Sequence, residues 1–278
     1  MIKECTLTVL TENRVNDPNL FAEQGLSILV KTPQAVLLFD TGQTDTFIKN
    51  AQQLKLNLHN VAAIVLSHGH YDHTGGLPSF LKSVKPVSIY CHPALLNKKY
   101  REQGGTRINI GVPWEKTEIT HAGGKIIFKT HPFEIFPNVW FSGEIPRHSK
   151  FESSDESYRQ RVLESYIHDE LHDDSALILN SKNGLIILLG CGHAGVINTV
   201  KHAMRITGQK KIYAIMGGMH LQHSQEEKII KIAKHLKELN LEYVIPLHCT
   251  GFKAVNHFYR LFKDRLLLFN VGDALNVA

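Results

Sequence analysis

A chain of 278 residues with 43% hydrophobic content is long enough to bury a full core. Its net charge of +5 is mild and comes without a Lys/Arg block, which disfavours nucleic acid and suits a small anionic substrate. No apolar run approaches the roughly 18 residues of a membrane span, the start Met1-Ile2-Lys3-Glu4-Cys5-Thr6 lacks a signal-peptide core, and Cys5, Cys91, Cys191 and Cys249 form no Cys-x-x-Cys pair, so a reducing, cytoplasmic compartment is expected.

Residues 5–10 alternate like a strand, and the polar stretch 11–24, with Asn16-Asp17-Pro18-Asn19 as a turn signal, reads as a loop. Residues 26–30 and 36–39 read as a hairpin around Thr32-Pro33-Gln34, ending in Asp40-Thr41-Gly42. A helix is predicted over 44–56, a buried strand over 62–66, a short helix over 74–83 and a strand over 87–90. Residues 125–128, 133–136 and 139–142 look like short strands. The charged stretches around 92–116 and 147–174 read as insertions over the active site of one domain spanning 1–278, with helical pieces within 151–174. Regularity returns with strands at 176–179 and 185–189 flanking the turn Ser181-Lys182-Asn183-Gly184. A helix to about 205 follows, then a strand at 212–216. Ser224 and Glu227 read as a capping box, and Ile229, Ile230, Ala233, Leu236 and Leu239 form a helical apolar stripe. A last strand, 243–246, precedes a closing helix. Paired strands followed by alternating β and α segments predict an α/β layered fold.

The run Ser67-His68-Gly69-His70-Tyr71-Asp72-His73 leaves the carboxyl end of the buried 62–66 strand, where a rigid strand fixes the loop that follows it. His68 and His70 are separated by one small residue, so both imidazoles can reach one ion, while Asp72 and His73 can serve a neighbouring one. Two cations roughly 3.5–4 Å apart can activate a water and polarise the group under attack. His193, His220 and His248 each sit just past a predicted strand end. That repetition predicts convergence on the same cluster, with substrate contact as the other role for His220.

These residues resemble a known family. The His-x-His-x-Asp-His loop, preceded by Leu38-Phe39-Asp40-Thr41-Gly42, resembles the metallo-β-lactamase-fold superfamily. The finer pattern is SHGHYDHTGGL (67–77), GEIPR (143–147), DELHDDSAL (169–177), GCGHAG (190–195), GGMHL (217–221) and LHCTG (247–251). It is similar to the 7,8-dihydropterin-6-methyl-4-(β-D-ribofuranosyl)aminobenzene-5′-phosphate synthase-like branch. The resemblance implies an αββα four-layer sandwich with the site at one edge. It implies His68, His70 and His193 on one divalent metal, and Asp72, His73 and His248 on the other. Asp40 would hold a ligand imidazole by hydrogen bond. Two features depart from the pattern. Cys191 stands where most members carry the bridging aspartate of a Gly-Asp pair, and it would bind an ion or simply pack. His172-Asp173-Asp174 occupies the approximate place of the usual His-x-x-Gly.

The leading expectation is a metal-dependent hydrolase of a phosphorylated or anionic small molecule, such as a phosphodiester. Metal-activated water would attack, with Asp72 holding that water and accepting its proton. Two ions are expected, zinc first, with manganese, iron or nickel as alternatives and magnesium if the enzyme is a synthase. Arg147 and Arg107, with Lys98 and Lys99, are the candidate substrate binders. One alternative is a synthase condensing a dihydropterin diphosphate with an aminobenzene ribosyl phosphate, with Tyr90, Tyr100 and Trp114 as stacking candidates. Another is a metal-binding sensor without turnover. The basic insertions could equally form a homo-oligomer contact.

Overall fold

The structure is a computed structural model that describes residues 1–152 and 154–278; residue 153, within the second insertion, lies outside the described residues. Two large sheets face each other. The first has seven strands in the order Ala274–Val277, Cys5–Thr11, Ser27–Lys31, Val36–Phe39, Val61–Val65, Val87–Cys91 and Gly124–Phe128. Its first four strands run antiparallel and its last four parallel. The second has six, in the order Tyr243–Leu247, Ile212–Gly218, Gly184–Leu189, Ala176–Ser181, Val139–Phe141 and Phe133–Phe136. There the first three are parallel and the rest antiparallel.

Side-chain alternation decides the layers. Along the strand Val61–Val65, Ala63 and Val65 enter the core between the sheets, while Ile64 and Leu66 enter the core beneath the helices Thr46–Gln53, Leu77–Leu81 and Lys116–His121. Along Gly184–Leu189, Ile186 and Leu188 point between the sheets. Leu185, Ile187 and Leu189 point outward, under Val196–Thr207, Glu226–Glu238 and Phe252–Phe262. Both faces of the central strands are buried, so these strands read as unbroken apolar runs. Each buried aliphatic side chain contributes roughly 1.5–3 kcal/mol, so a one-residue slip would exchange whole sets of contacts between the two faces. Register at the strand ends, and with it the site, is thereby pinned. The result is the expected αββα sandwich.

The second insertion departs from expectation, its described residues forming strands and no helix: Tyr158–Val162 and Ser165–His168 pair with Lys99–Gln103 and Thr106–Asn109 from the first insertion in one four-stranded antiparallel sheet. Its outward charges pair across strands, with Glu102 at 2.9 Å from both Arg107 and Arg159. Its inward face carries Lys99, whose ammonium sits 2.9 Å from Asp173 and 3.1 Å from Asp169. Asp173 in turn accepts the Gly69 N–H at 2.7 Å, which ties both insertions to the histidine loop.

The capping box also fails. The helix starts at Glu226, so Gln225 is the N-cap; Ser224 turns toward the His220 carbonyl, and Glu227 pairs with Lys231 at 2.6 Å. Within the stripe, Ile229, Ala233 and Leu236 are buried, Ile230 and Leu239 only half so, and Ile232 completes the apolar face. No helix among the described residues is long and apolar enough to cross a membrane.

Candidate metal centre

Six segments meet at one edge of the sandwich, each just past a strand end: Glu12-Asn13, Asp40, 67–73, 191–193, His220 and His248-Cys249. Asp40, His220 and His248 adopt left-handed backbone, with φ of 57°, 47° and 49°. Such conformations cost of order 1–3 kcal/mol in non-glycine residues and persist where surrounding contacts over-determine them.

Asp40 is the hub. Fully buried, it accepts the Ser67 N–H at 2.7 Å on Oδ1, and on Oδ2 the Ser67 hydroxyl and the His73 Nδ1–H, each at 2.7 Å. Since the Ser67 hydroxyl donates to Asp40, its oxygen accepts from His68 Nδ1, 2.9 Å away. One carboxylate therefore sets two imidazoles, placing the lone pair of each on Nε2. Gly190 makes room for this: a Cβ there would lie 2.0 Å from the Ser67 hydroxyl. His248 is oriented the same way, with Nδ1 at 2.8 Å from the Asn13 amide oxygen and its N–H on Glu12 at 2.7 Å.

The lone pairs so aimed face one another. His73 Nε2 lies 3.3 Å from His248 Nε2 and 3.2 Å from the Cys191 sulfur. His68 Nε2 lies 2.9 Å from His70 Nδ1. Among the described residues, the buried Nε2 atoms of His70 and His193 have no hydrogen-bond partner. Converging acceptors and buried orphans are unfavourable without a cation among them. Ligand atoms of His68, His70 and His193 lie within 4.8 Å of one another, and so do those of Asp72, His73 and His248. Three further groups overlap these, joining Cys191 to His68 and His73, to His193 and His220, and to His248 and Cys249, and the donor chemistry fits divalent transition metals.

Electrostatics agree. Burial holds His68, His70 and His193 well below the usual imidazole range, in the neutral form that ligates. Burial also opposes charge on His73, but Asp40 and Asp72 outweigh it and hold this imidazole at about 9. The carboxylates thus favour positive charge at that spot, whether a proton or a metal supplies it. Asp72 is itself held below the carboxylate range: burial opposes this, and His73 and His248 prevail.

Other candidates fall elsewhere. Arg147 donates to the backbone carbonyls of His193 (2.9 Å), Glu170 and Leu171, so it braces loops and is not free to bind substrate. Arg107 pairs with Glu102 and covers the Tyr166 ring on the outer hairpin. Lys98 pairs with Glu115, and Lys99 is locked in its buried ion pair. His172 is exposed on Glu144, outside the cluster, while Asp174 accepts the Ala194 N–H at 2.8 Å and braces the His193 loop. Trp114 is buried with its indole on the Thr74 carbonyl, Tyr90 stacks on Phe133 and Tyr100 packs on Tyr166, so none of the three stacking candidates reaches the site.

A polar cavity of about 300 Å³ opens over the cluster, lined by His70, Asp72, Cys191, His193, His220, His248 and Cys249 together with Arg101 and Tyr158. Arg101 and Tyr158 are register partners on the insertion sheet, and neither was legible beforehand. The Tyr158 hydroxyl lies 3.2 Å from His220 Nε2. At His193 and His220 this cavity adjoins a second lobe of about 490 Å³, lined by Glu152, Asp155, Ser224 and Lys228 among others.

The fold and the histidine cluster define a metallo-β-lactamase-type protein, and the chain belongs to the metallo-beta-lactamase superfamily, whose family model matches residues 20–187. Among curated relatives, the 7,8-dihydropterin-6-methyl-4-(beta-D-ribofuranosyl)-aminobenzene-5'-phosphate synthase of Methanocaldococcus jannaschii is 32% identical over 274 residues, covering 94% of this chain and 92% of the relative. An uncharacterized protein of the same organism is 29% identical over 258 residues, covering 92% of this chain and 94% of its own. Among solved structures, Tm1679, described as a metal-dependent hydrolase of the beta-lactamase superfamily, superposes with a TM-score of 0.85 at 29% identity over 98% of both chains.

Proposed function

We propose that this protein is a metal-dependent hydrolase acting on a small molecule that carries a phosphate or similar anionic group. The carrying observation is the juxtaposition of the converging imidazole donors with Arg101, which lines the same cavity. Every other basic candidate is committed to protein partners. His68, His70 and His193 would hold one divalent cation, and Asp72, His73 and His248 the other. Held there, such cations would supply a water of lowered pKa, about 7, and would offset charge building on a scissile oxygen.

The chain's own residues do the rest. Asp72, kept ionised, accepts a hydrogen bond from the attacking water and orients it. The Arg101 guanidinium presents a planar fork to a phosphate or carboxylate. Tyr158, on the wall of the cavity, and His220, which lines both lobes, would offer donors to a leaving oxygen. Zinc is the favoured metal, with manganese, iron or nickel as alternatives. The test is a panel of phosphodiesters, phosphomonoesters, lactones and thioesters offered to zinc- and manganese-loaded protein. Turnover confined to anionic esters supports this reading, and an intact panel removes it.

A second reading is favoured by the 32% identity to a synthase along nearly the whole chain and by the second lobe, which has room for a second organic substrate. In it an aromatic ring carbon or amine would attack the methylene carbon of a hydroxymethyl-dihydropterin diphosphate as its C–O bond breaks, releasing pyrophosphate and a proton. Pyrophosphate release that requires both organic substrates selects this reading over hydrolysis.

A further inference from the structure

We propose that Cys191 and Cys249 are sulfur ligands of the cation on the Asp72–His248 side, making that half of the centre a thiolate site selective for thiophilic metals. The inference rests on the cation-pair reading and adds two sulfurs to the three donors of that half.

The four cysteines divide sharply by surroundings. Cys5 and Cys91 lie in apolar cores, Cys5 between the sheets and Cys91 under the helices of the seven-stranded sheet, as packing cysteines do. Cys191 and Cys249 belong to neither; both line the polar cavity over the histidines. Their thiols, with His248, form a group whose ligand atoms lie within 4.8 Å of one another, and Cys191 lies 3.2 Å from His73 Nε2. Neighbouring ligands held on one ion at ~2.3 Å (sulfur) and ~2.0 Å (nitrogen) sit roughly 3–4 Å apart, close to the spacing Cys191 already has from His73 Nε2.

The backbone is shaped for this approach. Cys191 and Cys249 follow two strands that flank Ile212–Gly218 as parallel neighbours. The middle strand ends in glycine between them: a Cβ on Gly218 would lie 2.8 Å from the Cys249 sulfur and 3.2 Å from the Cys191 Cα. The Cys249 sulfur is further positioned by the His220 N–H at 3.3 Å.

Charge supplies the third argument. The imidazole-rich donor set contains one carboxylate, Asp72, for two buried dications. Beyond it, the buried Asp40 carboxylate on His73 adds one more negative charge, so two dications would be only partly compensated. Two thiolates restore the balance: each thiol loses its proton to solvent as its sulfur takes up the cation, so metal uptake releases protons. Thiolates also favour zinc or ferrous iron over magnesium and manganese.

The test is spectroscopic and independent of turnover. Zinc-loaded full-length protein is examined by X-ray absorption, and cobalt(II)-loaded protein by near-ultraviolet absorption, with metal content measured on the same samples. The expected results are a sulfur shell at ~2.3 Å and sulfur-to-cobalt charge-transfer absorption that falls by about half in C191S or C249S and vanishes in the double variant. Bound metal with only nitrogen and oxygen neighbours in the unmodified protein overturns the thiolate assignment and leaves the cation pair standing. Failure to bind any transition metal overturns both.

Discussion

Asp40 shows how much one buried side chain decides. By accepting from His73 directly and from His68 through Ser67, it aims two Nε2 lone pairs into one space. Replacing Asp40 with Asn keeps the shape but puts an amide N–H₂ or a weaker acceptor against these donors. Zinc affinity measured by chelator competition is expected to fall about 10- to 100-fold; an unchanged affinity would show that Asp40 does not set the ligand geometry. Arg101 makes the corresponding case for substrate. A hydrogen bond to a charged group contributes about 1.5–3 kcal/mol. R101A should therefore weaken inorganic phosphate binding to the zinc-loaded protein roughly ten- to a hundredfold by calorimetry, with zinc content unchanged. Equal phosphate affinity in R101A would remove Arg101 from the site. At this scale legibility followed contiguity. His68, His70, Asp72 and His73 were readable because they share one short loop, and His193 and His248 because each follows a strand. Arg101 was not, because it looks no different in sequence from Arg107 or Arg147, and only neighbours brought in by folding separate a guanidinium that lines the cavity from one committed to protein partners. The same holds for Cys249 against Cys91.

Between elements, the insertion sheet is what completes the cavity. Lys99 fastens it, with its ammonium buried between Asp169 and Asp173 and Asp173 bonded to the Gly69 N–H. Removing one partner of a buried ion pair strands the other charges and costs about 3–5 kcal/mol, so urea unfolding of Lys99→Met should show a loss of that size. A loss below about 1 kcal/mol would mean that the pair behaves like an exposed one. Burial works against the Lys99 charge, yet Asp173 and Asp169 prevail and raise its pKa above 10.5. A raised pKa means that this stabilisation is complete at neutral pH and is lost only as pH climbs past the ordinary lysine range. The wild-type advantage over Lys99→Met should therefore be constant near neutrality and shrink in strong alkali. Residues 151–174 were expected to contain helical pieces because their charges hide any apolar period. Their strands are specified by pairing with Lys99–Gln103, far away in the chain, and such pairing leaves little local trace. The misplaced capping box has a local cause: the helix begins one residue later than Ser224 would require.

Across the molecule, the sandwich was legible because its central strands are unbroken apolar runs and its helices carry apolar stripes, which forces helices onto both outer faces. The division of labour is clear: three apolar cores hold the strand ends still, and polar chemistry is confined to the loops beyond them. The cost of that arrangement is a buried cluster of facing acceptors, which destabilises the metal-free protein. A ligand that binds only the folded state adds about 2.7 kcal/mol at a hundredfold excess over its Kd. Chelator-treated protein should thus melt several degrees lower than metal-loaded protein, and zinc should restore the difference. Coincident melting curves with and without chelator would mean that the cluster holds no cation tightly.

The central claim is that His68, His70, Asp72, His73, His193 and His248 enclose a pair of cations. Anomalous diffraction from crystals of the protein as purified, collected across the zinc, iron and manganese edges, tests it most directly. Two peaks are expected, one among His68, His70 and His193 and one among Asp72, His73 and His248. Crystals with no anomalous scatterer inside that ring, from protein never exposed to chelator, would contradict it.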